Sequence, residues 1–174
     1  MLVPYTGKYS VIKRDKTNDC NGRIEKEFTM SVEQVARDFI TKMNDVNAAE
    51  SYLTPDAVSA GGVLPQPIPA REAIGMLGAL KTAFPDLKFD VQTVTVKGNQ
   101  ATVEAIWSGT NKGPLNMPLP GLQSIPATGK PVSVKDTYIV TVQGDKISRL
   151  EVDSPADGGI PAALGQIGIK VPGM

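Results

Sequence analysis

Val132-Ser133-Val134-Lys135-Asp136-Thr137-Tyr138-Ile139-Val140-Thr141-Val142-Gln143 decides the architecture. Successive side chains of a strand point to opposite faces, so Val132, Val134, Asp136, Tyr138, Val140 and Val142 share one side. Ser133, Lys135, Thr137, Thr141 and Gln143 share the other, with Ile139 the exception. One face apolar and one polar is the mark of an antiparallel sheet covered on one side. Gly144-Asp145 then makes a two-residue turn into Lys146 to Asp153, which predicts a hairpin. Upstream, Leu87 to Lys97, the turn Gly98-Asn99 and Gln100 to Gly109 read as a second hairpin, with Val103, Ala105 and Trp107 on one face.

Helical periodicity precedes these strands. Val32, Val35, Ala36, Phe39, Ile40 and Met43 fall on one face after Ser31, and Ser31 with Gln34 forms a capping box. A short helix is expected over Ala48 to Leu53, stopped near Thr54-Pro55 because the residue before proline disfavours helical geometry. Ala57 to Ala60 reads as a short strand, and Gly61 to Pro69 as a proline-rich loop. A third helix is predicted from Ala70 to Phe84, with Ala73, Ile74, Leu77, Leu80 and Phe84 inward and Pro85 at its end. Gly75 and Gly78 weaken it, and close approach to a sheet is their expected use. Residues 109–131 hold five prolines and four glycines, which argues for a long loop. Pro161 and Gly168 bracket a last short helix around Ala162 to Ile167. Helices first and strands after define an α+β domain, with a pocket where helices and curved sheet diverge.

Composition closes off several functions. The chain of 174 residues carries 18 basic and 18 acidic side chains, so the electrostatic footprint of a nucleic-acid binder is absent and no nucleic-acid partner is expected. There is no histidine and one cysteine, Cys20, which excludes His-based nucleophile systems, histidine metal sites and thiolate clusters; no metal is expected. No run approaches the roughly 18 apolar residues of a membrane span. Met1-Leu2-Val3-Pro4-Tyr5 lacks the pattern of a signal peptide, so the expectation is a cytoplasmic protein that does not engage membranes. Residues 1–29 are polar and charge-dense, and fit either a loose hairpin about Asp15 to Gly22 or a disordered extension; the domain proper is expected over 30–174.

Acid–base chemistry must then come from carboxylates, Tyr, Lys or Cys20. Asp136 stands in the valine row, where a charge is expensive and burial raises a carboxylate's pKa toward the range useful for proton transfer. Tyr138 lies two residues on, about 7 Å along the same face, with a hydroxyl able to orient a carbonyl or donate to an anion. The purely structural alternative is that Asp136 pairs with Arg149 or a lysine, or bonds a helix terminus. Asp153 is a second candidate, with turn formation as its bland explanation. Glu104 should point outward, and Asp157-Gly158-Gly159 lacks a phosphate-binding fingerprint. Phe39, Tyr52, Trp107, Tyr138 and Met117 would either line an apolar pocket or simply pack a core. Leu115, Met117, Leu119 and Leu122 are oily for an exposed loop and argue for an apolar ligand or a covered entrance.

The element order over residues 31–168 resembles the NTF2-like cone, and more narrowly its SnoaL-like polyketide cyclase branch. Trp107-Ser108-Gly109-Thr110 with Pro114, Thr128-Gly129-Lys130-Pro131-Val132, Gly144-Asp145-Lys146-Ile147 and Gln166-Ile167-Gly168 carry that resemblance. It implies a curved antiparallel sheet wrapped on three N-terminal helices around an internal pocket. It also implies an intramolecular aldol closure catalysed by one pocket aspartate, Asp136 or Asp153, with no cofactor. Branch members often carry a carboxylate near the pocket mouth, where Asp153 falls. Homodimerisation through the outer sheet face is implied too, although Lys135, Thr137, Thr141 and Gln143 make that face mostly polar here. Ketosteroid isomerases share the cone: Asp136 falls near their oxyanion-binding aspartate, while their base and pocket tyrosine would fall at about Ala60-Gly61-Gly62 and Phe39. Limonene-epoxide hydrolases use an Asp-Arg-Asp arrangement that has no match. Two readings follow: a cofactor-free cyclase, isomerase or lyase acting on a small apolar carbonyl compound through Asp136, or a non-catalytic ligand-binding or dimerisation module of the same fold.

Overall fold

The computed structural model describes residues 30–117 and 124–169. The hairpin or extension expected over 1–29, and Leu119 and Leu122, lie outside the described residues. Helix α1, Val32–Thr41, begins at Ser31, whose hydroxyl accepts a hydrogen bond from the Gln34 amide at 3.1 Å. Only half of the capping box forms, because the Gln34 side chain turns forward and donates to Asp38 at 2.8 Å. Val35, Ala36, Phe39 and Ile40 make its buried face.

Helix α2 is Val46–Glu50, capped by Asp45, and ends three residues sooner than expected. Leu53 already belongs to strand β1, Leu53–Gly61, which runs straight through Pro55. Proline is tolerated there because the register against the neighbouring strand shifts between Leu53 and Val58, leaving the missing N–H outside the ladder. Strand β2, Ile68–Pro69, leads into helix α3, Ala70–Ala83. Strands β3 (Lys88–Lys97), β4 (Gln100–Thr110), β5 (Pro131–Gln143) and β6 (Lys146–Asp153) follow, then helix α4, Gly159–Gln166.

The six strands lie in the order β2-β1-β6-β5-β4-β3. From β3 to β6 every pairing is antiparallel, as expected, but β1 joins β6 in parallel, so the sheet is mixed. Register shifts between Val91 and Thr93, and between Thr141 and Val142, are bulges of the kind that increase local twist and bend a sheet. Helices α1 and α3 fill the concave side, and Phe39, Ile40, Ile74, Val103, Val140 and Ile147 form the heart of the core. Phe84, just past α3, meets Trp107 edge-on with ring centroids 6.0 Å apart.

Gly75 and Gly78 do not approach the sheet: a Cβ built on either meets nothing within 4 Å. Gly75 is exposed in a helix interior, so its cost is entropic and no packing is recovered for it. Gly75→Ala should therefore raise unfolding free energy by about 1 kcal/mol, read as a higher urea midpoint at unchanged slope.

The described part of the oily loop is shared between the core and a cavity, with Met117 on the cavity wall. Leu115 and Ile125 pair across it through reciprocal backbone hydrogen bonds of 2.8 and 3.0 Å, and both are buried in the core. Asn111, wholly buried, ties its base: the amide nitrogen donates to Gly113 O at 2.9 Å, and the amide oxygen accepts from the Thr128 amide and hydroxyl at 2.8 and 2.9 Å.

Candidate active site

Strand β5 alternates as expected: Val132, Val134, Asp136, Tyr138, Val140 and Val142 are all buried. Asp136 and Tyr138 of this row line a cavity of about 120 Å³ between α3 and the sheet, with Gly61, Gly62 and Ile160 also in its wall. Its walls are mainly carbon: Met43, Ile74, Leu77, Phe89, Met117 and Leu150 among others. Among the lining residues, polar side chains are confined to Asp136, Tyr138 and Ser154, and none is cationic.

Asp136 is only 6% exposed. None of the four ion pairs among the described residues involves it; Arg149, its expected structural partner, instead pairs with Glu151. Both carboxylate oxygens are engaged by neutral donors. Trp107 Nε1 donates to Oδ2 at 2.9 Å and Ser154 Oγ donates to Oδ1 at 2.6 Å. The first contact follows from register: Ala105 lies opposite Asp136 and Trp107 opposite Val134, which makes Trp107 and Asp136 diagonal neighbours within reach of an indole.

Burial raises the pKa of Asp136 above the ordinary carboxylate value, and hydrogen bonding by Ser154, Trp107 and Tyr138 opposes that rise without cancelling it. Tyr138 is pushed well above its ordinary value, first by burial and then by the neighbouring Asp136 charge. Its phenol therefore stays protonated at working pH and serves as a donor, not as a base. The pair combines a carboxylate that can take a proton with a hydroxyl that can steady an oxyanion.

The other expected site residues divide between the cavity and the rest of the fold. Asp153 pairs in register with Thr137, on the face opposite Asp136, and is exposed. Phe39 is fully buried beneath the helices, edge-on to Tyr52 at 6.3 Å, and neither lines the cavity. Tyr52 instead borders a surface cleft with Met30 and Lys146, its hydroxyl accepting from Lys42 Nζ at 3.0 Å. Trp107 and Met117 do line the cavity, whereas Leu115 is spent on the core. Ser154 was not singled out from the sequence. The only signal available was its place one residue beyond Asp153, which the hairpin register carries to the inner face.

The pKa shift has a consequence for stability. The native state holds the Asp136 proton more tightly than the unfolded chain does. Its contribution is thus fully present below the ordinary carboxylate range and is lost as pH rises through the folded value. At neutral pH the ionised Asp136 is a cost. Asp136→Asn keeps an acceptor for Trp107 and offers an amide to Ser154 Oγ, so it should be at least as stable as wild type at pH 7. That advantage should shrink toward pH 3 in denaturation curves.

The curved mixed sheet, the helices on its concave side and the carboxylate-bearing cavity define an α+β cone of the NTF2 and ketosteroid-isomerase type. The profile of the SnoaL-like polyketide cyclase family matches residues 31–150, and the chain belongs to that family. Among solved structures, the proposed polyketide cyclase IdmH from Streptomyces antibioticus is similar at 18% identity and a TM-score of 0.63, over 80% of this chain and 100% of IdmH. A proposed SnoaL-like polyketide cyclase from Jannaschia sp. CCS1 aligns at 21% identity and 0.59, over 81% and 96%. A protein with a ketosteroid isomerase-like fold from Catenulispora acidiphila, in complex with trimethylamine, aligns at 15% and 0.60, over 79% and 95%. At these identities the structures speak for the fold. No curated protein matches the chain at a significant level.

Proposed function

We propose that this chain is an acid–base enzyme of the SnoaL-like type that acts on a small, neutral, apolar carbonyl compound. The observation that carries this reading is a carboxylate with no cationic partner among the described residues, buried in the wall of an apolar cavity beside a tyrosine that stays protonated. Asp136 takes a proton from the carbon next to the carbonyl, the C–H electrons move into the C–C bond, and the carbonyl oxygen becomes an enolate oxygen steadied by the Tyr138 hydroxyl. In a ring closure the enolate carbon attacks a second carbonyl of the same molecule. A C–C bond forms, and the new alkoxide takes back a proton, so the reaction is balanced without a co-reactant. Among the described residues no lining side chain is cationic, which favours an uncharged substrate over an acid or a phosphate, whose desolvated charge would find no partner among them.

The test is α-proton exchange of 2-tetralone, a neutral bicyclic ketone, in D₂O. Exchange above the buffer rate is the expected result. Trp107 is the chain's single tryptophan and its indole N–H contacts Asp136, so its NMR resonance reports binding without ambiguity. A shifted indole resonance with exchange at the buffer rate would turn the reading into a ligand-binding module. Trimethylamine, a cation at neutral pH, is the contrasting ligand: tighter binding of the amine than of the ketone would replace the carbonyl substrate by an ammonium one.

A further inference from the structure

Ser154 has no part in the mechanism just described, yet it makes the shortest of the contacts to Asp136. Its position is built by three local features. The pairing of Thr137 with Asp153 brings the next residue, Ser154, across from Asp136 on the cavity side. A turn closes behind it, with the Gly158 amide donating to Pro155 O at 2.9 Å. Gly159 then opens α4 at a φ of +64°, and a Cβ there would stand 2.5 Å from Ser154 Oγ and 3.3 Å from Asp136 Oδ1. Both the conformation and the space demand glycine. A Cβ on Gly158 would likewise overlap Lys135 O, so the whole turn is pressed against β5 at the carboxylate.

We propose that Ser154, seated in the notch left by Gly159, is a positioning residue that locks the Asp136 carboxylate for proton transfer. With Trp107 on one oxygen and Ser154 on the other, the group cannot turn about its Cβ–Cγ bond. A carboxylate has about four lone-pair sites, so even with Tyr138 as a third hydrogen-bonding neighbour acceptor capacity is left for a substrate proton. A base fixed in this way pays no reorientation cost at the moment of transfer. The role rests on Asp136 being the base, but it can be measured apart from activity.

The environment makes the readout clean. The other titratable side chain lining the cavity is Tyr138. Glu104 on β4 and Asp157 in the turn are exposed, Arg149 and Glu151 on β6 pair with each other, and α4 carries no charged side chain. Ser154→Ala removes a donor that favours the ionised form, so the Asp136 midpoint, followed by ¹³C-carboxyl NMR, should rise by about one pH unit. The pH midpoint of 2-tetralone exchange should rise with it, and Ser154→Thr, which keeps a hydroxyl, should return both toward wild type. A Ser154→Ala protein that folds with both midpoints unmoved would overturn the positioning role while leaving Asp136 as the base. If Asp136→Asn exchanges 2-tetralone as fast as wild type, the catalytic reading fails instead, and the carboxyl titration still decides whether Ser154 holds the group.

Discussion

Asp136→Asn is expected to slow enzyme-promoted α-exchange of 2-tetralone by about a hundred- to ten-thousand-fold, the usual worth of a positioned general base. The substitution is nearly isosteric. It leaves Trp107 Nε1 an amide oxygen to bond and Ser154 Oγ an amide N–H, so the cavity keeps its shape and its indole reporter. Only the capacity to take a proton is removed. Binding of the ketone, read from the Trp107 indole resonance, should therefore change little while exchange collapses; that split separates a lost base from a disrupted pocket. In the wild type, exchange should climb with pH through a midpoint above the ordinary carboxylate range and then level off, because burial disfavours the ionised form that does the work. Tyr138 does not bend this profile near neutrality, since its own ionisation lies far above. An Asp136→Asn protein that exchanges within a factor of three of wild type would remove Asp136 from the mechanism. Tyr138→Phe, which deletes the donor and keeps the ring, is the companion variant and should weaken exchange less severely.

Phe39→Ala should cost about 3–5 kcal/mol of folding stability, the range for deleting a fully buried aromatic side chain. The ring is inaccessible to solvent, on the buried face of α1, and sits edge-on to Tyr52. A small domain has roughly 5–15 kcal/mol in total, so this one change consumes a large share and should lower the urea midpoint sharply. The folded fraction should still bind 2-tetralone with near wild-type affinity, because Phe39 is not part of the cavity wall. A loss under 1 kcal/mol accompanied by weakened binding would mean that the ring faces a hollow after all. The same contrast separates Phe39, which is packed against Tyr52, from Phe89, Trp107 and Tyr138, which line the cavity.

Much of the fold is legible from the chain because the signals are local. The alternation in β5, the Gly98-Asn99 and Gly144-Asp145 turns and the amphipathic stripe after Ser31 each report a geometry set within a few residues. Asp136 stands out for the same reason: a charge in a row of valines is visible without knowing what lies opposite. The expectations that moved are those in which tertiary contact outweighs propensity. Pro55 reads as a helix stop before a short strand at Ala57 to Ala60, yet β1 starts already at Leu53 and passes through Pro55 because a bulge against β6 absorbs the missing donor. Leu115 reads with Met117 as part of a ligand site or covered entrance, yet only Met117 reaches the cavity, while Leu115 and Ile125 close on each other and join the core.

The candidate site shows where the division falls. By itself the sequence determined which face of β5 carries Asp136 and Tyr138, because side-chain direction in a strand follows from a period of two and nothing more distant. It also determined that histidine and a thiolate cluster take no part, because those residues are missing or single. Only the tertiary structure decided that Asp153 faces outward while Ser154, one position later, reaches the carboxylate, and that an indole 29 residues upstream completes its bonding. Those outcomes depend on how neighbouring strands slide against one another. A shift of one residue exchanges the two faces, and the bulges and turn lengths that set the shift act across the whole sheet.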